Sequence, residues 1–169
     1  CLVFYHPDDP AALRAEQDAL LLEVWQACNK SGHELLLEVI LPENGPDKDE
    51  RHYHTMLEHF YQLGIKPDWW KLPPLSSASW QQITALIERE DPWSRGILIL
   101  GLDAPSDKLR AGFAEAAAHP MIKGFAVGRT IFGQPSRRWM QGELSDEALI
   151  EEVKRNYLTL IGYWREARR

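Results

Sequence analysis

No stretch of this chain approaches the roughly 20 consecutive apolar residues that a membrane-spanning helix requires, so insertion into a bilayer is not expected. Cysteine is nearly absent. Cys1 and Cys28 cannot make the disulfide framework of a small secreted domain. Cys28 follows Leu20, Leu21, Val24 and Trp25 on a helical pattern and reads as a buried thiol, no signal peptide is visible, and a reducing cytoplasm is the expected home. Positive charge is also scarce. The 19 Lys and Arg against 25 Asp and Glu leave a formal charge of -6, and apart from Arg165, Arg168 and Arg169 there is no basic cluster, which argues against nucleic acid as a partner. Internal repeats, low-complexity tracts and long linkers are missing too. The chain opens inside an apolar run without an initiator Met, and reads as a domain or fragment of a longer polypeptide.

What is present is ordinary for a folded protein: 169 residues, 44% apolar and 26% charged, enough for one well-cored domain over 1–169 and too little for a second core. Five apolar runs of strand length stand out, Leu2–His6, Leu35–Leu41, Asp68–Pro73, Gly96–Leu102 and Gly124–Arg129, each bounded by Gly, Pro or Asp. Between and after them, apolar residues recur at helical spacing over Ala11–Lys30, Asp49–Leu63, Ser79–Arg89, Ser106–Ala118 and Ser145–Ala167. The last begins with a Ser cap and acids in its first turn, Ser145-Asp146-Glu147. The stretch Pro-Glu-Asn-Gly-Pro at 42–46 reads as a turn. Strand and helix alternating five times predict an α/β fold with a parallel sheet and right-handed crossovers. Two closures fit, an open doubly wound sheet and a (β/α)8 barrel of the TIM type. In the second, this chain supplies about the last five βα units, and its open sheet edge needs N-terminal units, a swapped partner or a dimer to cover it.

Polar groups gather at the strand ends: His6-Pro7-Asp8-Asp9 after the first, Asp103 after the fourth, Arg129 ending the fifth. In parallel α/β folds that edge is where ligands bind. Glu38 and Lys71 differ from these because they lie within apolar runs, where lone ionised groups are costly unless paired or neutral. Lys71 sits in Asp-Trp-Trp-Lys-Leu-Pro-Pro. Aromatic and aliphatic neighbours favour a neutral amine, which a Schiff-base nucleophile requires. Glu38 lies one strand earlier, and neighbouring strands are about 4.8 Å apart, so the two side chains can touch if both point inward. A structural ion pair is the plain alternative. A metal site on His6, Asp8 and Glu38 is another, although His-x-Asp is a weak pattern and His52 and His54 point to opposite sides of their helix.

The segment Gly124-Phe-Ala-Val-Gly-Arg-Thr-Ile-Phe offers backbone N–H groups and a guanidinium where a strand leads into a helical turn. That combination suits a phosphate, Gly128 allowing close approach and Arg129 supplying charge. An Arg129–Asp103 ion pair is the structural alternative. Trp25, Trp80, Trp139 and Trp164 stand at helix-face spacing and read as packing residues. Trp69 and Trp70 flank the lysine, where one of them can line a pocket. His33, His59 and His119 show no partner pattern, and Arg137 and Arg138 read as solvated.

The order Tyr5-His6-Pro7-Asp8-Asp9, Leu37-Glu38-Val39, Trp70-Lys71-Leu72-Pro73, Val127-Gly128-Arg129 resembles the class I aldolases of the tagatose-1,6-bisphosphate type. It is closer still to the aldolase-like domain (DUF2090) fused behind 5-dehydro-2-deoxygluconokinase, the sugar kinase of bacterial myo-inositol catabolism. The resemblance covers essentially the whole chain. It implies a TIM barrel in which Lys71 forms the Schiff base, Glu38 is its acid/base partner and Gly128 and Arg129 lie at the phosphate site. It also implies a phosphorylated keto-sugar acid as substrate, namely 2-deoxy-5-keto-gluconate 6-phosphate. His6, Asp8 and Asp103 are placed at the substrate site by their strand ends. No metal or organic cofactor is expected, and a kinase domain or further barrel units upstream and a homo-oligomer are. The chain departs from the aldolases at Leu100-Gly101-Leu102-Asp103, where they carry small residues around the phosphate. That departure leaves open a non-catalytic domain retained as a partner of the kinase.

Overall fold

The computed structural model describes residues 1–42 and 47–169. Apart from Pro42, the turn expected at 42–46 lies outside them. Five strands, β1 (Leu2–Phe4), β2 (Leu36–Ile40), β3 (Trp69–Leu72), β4 (Gly96–Ile99) and β5 (Ile122–Phe125), form one parallel sheet in the order β1-β2-β3-β4-β5. Helices α1 (Ala11–Ser31), α2 (Arg51–Gln62), α3 (Ser77–Glu90), α4 (Ser106–Ala116), α5 (Arg129–Met140) and α6 (Asp146–Ala167) follow the strands, the last two in succession. Sequential strand order with crossovers of one hand keeps the helices on one face of the sheet. A doubly wound sheet would reverse its order, and this one does not.

A single core lies between that face and the helices. Val3, Leu37, Val39, Trp70, Leu72, Ile97 and Ile99 belong to it, together with Leu57 and Phe60 of α2, Ile83 and Ile87 of α3 and Phe113 of α4. Each large side chain fully buried there contributes roughly 1.5–3 kcal/mol. The alternate residues of the same strands face the other way. Along one register line these are Leu2, Glu38, Lys71, Leu98 and Gly124. Helices of the described residues leave this second face uncovered at the β1 edge, where Leu2 and Phe4 are each 50% exposed.

Four features depart from the sequence reading. The fifth strand starts at Ile122 and ends at Phe125, earlier than the expected run from Gly124 to Arg129. Lys123 breaks the apolar run, but its amine leaves the sheet to reach the Pro120 carbonyl at 2.8 Å, and buried Ile122 pairs with Ile97. Arg129 therefore opens a helix of 12 residues instead of ending a strand. This helix contains Pro135, which has no N–H to give the Ile131 carbonyl. The Asn156 side chain of α6 supplies that hydrogen bond instead, at 2.8 Å. Helix α1 has only Leu21 buried, while Leu13, Leu20 and Val24 are exposed. It follows the edge strand β1, and among the described residues no further strand pairs on that side. Cys28 is half-buried, and it and Cys1 are free. The Ser145 cap of α6 is as expected, its side chain accepting from the Ala148 N–H at 3.2 Å. No helix among the described residues is long and apolar enough to cross a membrane.

Candidate active site

Because β2 and β3 run in register with Glu38 opposite Lys71, the two side chains project from the same face at the same height. The Lys71 Nζ donates to Glu38 Oε2 at 2.8 Å, with the side chains 19% and 20% exposed. Trp70 points the opposite way into the core, fully buried, with its indole N–H donating to Tyr61 Oη at 2.9 Å. Trp69 shares the Lys71 face nearer the amino end of the strand and donates to Glu34 Oε2 at 2.9 Å. Neither tryptophan lines the cavity that contains the lysine. Its apolar wall comes from Leu2, Phe4, Ile40, Pro73, Leu100 and Val127.

That cavity, about 1040 Å³, opens at the carboxyl ends of the strands and brings Lys71 and Glu38 together with Gly128, Arg129 and Asp103. Gly128 caps α5 and Arg129 is its first residue, so the amino end of that helix and the arginine both belong to the cavity lining. Arg129 and Asp103 form no ion pair within 4.0 Å among the described residues. The structural alternative read for this pair is therefore not realised. Thr130 ties the first turn of α5 to the loop after β4 by donating to the Ala104 carbonyl at 3.0 Å. In that loop Leu102 and Asp103 have φ of 47° and 60°, a left-handed pair that non-glycine residues adopt at a cost and that concentrates at functional sites. Gly101 lies so close to Val127 that a Cβ would stand 2.8 Å from its methyl.

His6 and Asp8 are not part of this cavity. The chain turns after β1 and buries His6 completely, with its Nδ1 accepting from the Asp8 N–H at 3.1 Å. Its ring lies 4.6 Å from that of His52. Glu38, read as a possible third ligand to His6 and Asp8, is instead the partner of Lys71.

Several cavity residues escaped the sequence reading. Lys48, Glu50, Tyr53 and Phe132 line it. Glu50 stands at the start of α2 and accepts from the Ser76 N–H at 2.9 Å and from the Ser76 hydroxyl. These bonds hold its carboxyl below the usual range. Tyr53 accepts from the Leu41 N–H at 3.3 Å. The cavity thus carries the acids Glu38, Glu50 and Asp103 against the bases Lys48, Lys71 and Arg129. Glu38 is taken by Lys71 and Glu50 is bonded to Ser76, whereas Lys48 and Arg129 have no ion-pair partner within 4.0 Å among the described residues. Among the described residues two cavity cations are thus without a carboxylate partner.

A family model described as an uncharacterized protein conserved in bacteria (DUF2090) matches residues 1–168. No curated protein matches the chain.

Proposed function

The chain belongs to the DUF2090 family, and we propose that it is the Schiff-base half of a class I aldolase, a carbon–carbon lyase for a phosphorylated keto-sugar acid. The observation that carries the proposal is the Lys71–Glu38 contact of 2.8 Å within a cavity of about 1040 Å³. A structural pair needs no cavity; a nucleophile and its proton shuttle do.

In the proposed reaction Lys71 passes a proton to Glu38 and, now uncharged, adds to the substrate ketone carbon. Glu38 gives a proton to the departing oxygen, and loss of water leaves an iminium. The bond between the α and β carbons then breaks. Its electron pair moves into the enamine as the β-hydroxyl gives its proton to the Glu38 carboxylate and becomes an aldehyde. Protonation of the enamine carbon and addition of water release the second product and free the lysine. Glu38 contributes about 100- to 10,000-fold as general acid and base. Lys48 and Arg129 face a substrate with two anionic groups, a phosphate and a carboxylate, and fix its carbonyl against the amine. The resemblance to the kinase-fused domain suggests 2-deoxy-5-keto-gluconate 6-phosphate, cleaved to dihydroxyacetone phosphate and malonate semialdehyde, within the cytoplasm and alongside a sugar kinase.

The same proposal takes the sheet as the last five units of a (β/α)8 barrel. Supporting it are the strand order without reversal, the single helical face, and the exposed Leu2, Phe4, Leu13 and Leu20 along one edge. Barrel units preceding β1, or a second copy, would bury them and close the wall of the cavity.

The decisive test is borohydride reduction of the full-length protein with substrate, followed by peptide mass analysis. A reduced adduct on Lys71 is expected, and its absence under turnover conditions would overturn the reading. The exposed Asp103 carboxylate on the rim, where a phosphate approaches Arg129, favours the second reading, a non-catalytic domain that partners a kinase. That reading predicts binding without adduct.

A further inference from the structure

We infer that His6, His52 and Asp47 form a site for one divalent transition-metal ion of the zinc type, with Asp8 behind His6. His6 follows β1 and is 0% exposed, and among the described residues its Nε2 has no hydrogen-bond partner. The nearest acid is Asp47, whose Oδ1 stands 3.9 Å from that nitrogen, beyond hydrogen-bond reach. The same Oδ1 lies 2.6 Å from Nε2 of His52, in the first turn of α2. The two imidazole rings are 4.6 Å apart and tilted by 58°. His6, Asp8 and His52 each offer a ligand atom within 4.8 Å of the others. A buried ring nitrogen aimed at two other donors and bonded to neither is a costly arrangement without an occupant.

The spacing suits an ion. Ligands about 2.1 Å from a tetrahedral centre stand about 3.4 Å apart. The His6–Asp47 separation would shorten, and the His52–Asp47 contact would lengthen, each by less than about 1 Å. Two imidazoles and a carboxylate without a thiolate fit zinc, cobalt or nickel, and fit magnesium and calcium poorly. At present the His6 Nδ1 accepts from the Asp8 amide, which leaves the proton of the neutral ring on Nε2. Coordination through Nε2 moves that proton to Nδ1. It then faces the Asp8 carboxylate, 4.0 Å away, in the carboxylate–histidine–metal arrangement that orients metal-bound rings. His52 likewise binds as neutral imidazole and exchanges its bond to Asp47 for one to the ion.

The site has a consequence for the cavity. Asp47 precedes Lys48 and His52 precedes Tyr53, both of which line it. An ion held by all three ligands fastens the start of α2 and the segment before it to the end of β1, setting the position of the Lys48 amine. This inference stands whether or not the chain is a lyase.

The test uses the untagged full-length protein, stripped with chelator and loaded with cobalt(II) or zinc(II). One equivalent of metal is expected, with tetrahedral cobalt absorption free of thiolate bands, and zinc at about 100 times Kd should raise Tm by about 5–10 °C. Asp47→Asn and His52→Asn should each lower affinity by at least about 10-fold, and Asp8→Asn by about 10- to 100-fold. Asp47 is 60% exposed, so its variant keeps the fold, which far-UV circular dichroism checks. No uptake by the native chain, or equal uptake by the Asp47→Asn variant, would overturn the inference.

Discussion

Trp70 and Lys71 are neighbours in β3 and face opposite sides of one sheet. Trp70 is completely buried, its one polar atom bonded to Tyr61 and its ring stacked 6.4 Å from Phe60. Lys71 keeps a fifth of its side chain exposed beside Glu38 and a cavity. On the helix side the neighbours are mostly apolar and closely packed, so substitution there is felt as lost packing. On the other side space and solvent make a charged pair tolerable, and the same backbone that stabilises the fold holds that pair in register. The two sides are therefore expected to answer mutation in different currencies, one in stability and one in chemistry.

Lys71→Met is the sharpest probe of that difference. Turnover should fall by about 10⁴-fold or more with little change in the urea midpoint. Retained kcat/KM would refute the lyase, and a collapse of the fold would erase the contrast between the faces. Trp70→Ala should do the reverse, destabilising the chain by about 3–5 kcal/mol in urea unfolding. A loss under about 1 kcal/mol would mean that the helix-side core is not the main source of stability.

Alkali should act on stability through the buried phenols. Burial, then the nearby Asp18 charge, pushes the Tyr5 phenol up to about 12, and burial raises Tyr53 and Tyr61 as well. An acid whose folded pKa exceeds its unfolded value near 10 favours the native state below that pH and loses the contribution as pH climbs through the folded value. Stability should begin to fall near pH 10 and fall further toward pH 12, with phenolate absorbance appearing as the chain unfolds. Early ionisation of all three in the native state would contradict their burial. The smallest effect is expected at Phe4→Ser, within about 1 kcal/mol for this chain. A larger loss would show that another element covers the β1 edge.

The first four strands were legible because each is a nearly continuous apolar run between breakers. Glu38 and Lys71 were legible because a charge inside such a run demands a partner, and counting along adjacent strands supplies one. β5 was misplaced because Lys123 looks like an end, although its long side chain simply leaves the sheet. α5 was hidden by Pro135, whose defect is repaired by a residue from another helix. Strand-end polarity placed His6 and Asp8 at the mouth, but it cannot reveal that the chain turns and buries the ring. His52 showed no pattern within its own helix because its partners arrive from β1 and the segment before α2. Lys48 carried no signal beyond a loop charge.

The amide of Asn156 has a further meaning for how the molecule assembles. A proline in the middle of α5 leaves that helix short of one internal bond until α6 lies against it, so docking of α6 stabilises both. The guanidinium at the head of α5 is then only as well placed as the last helix of the chain is docked. In hydrogen exchange α5 and α6 should open as a single unit, and a chain cut short of residue 146 should lose its grip on anions along with its terminal helix.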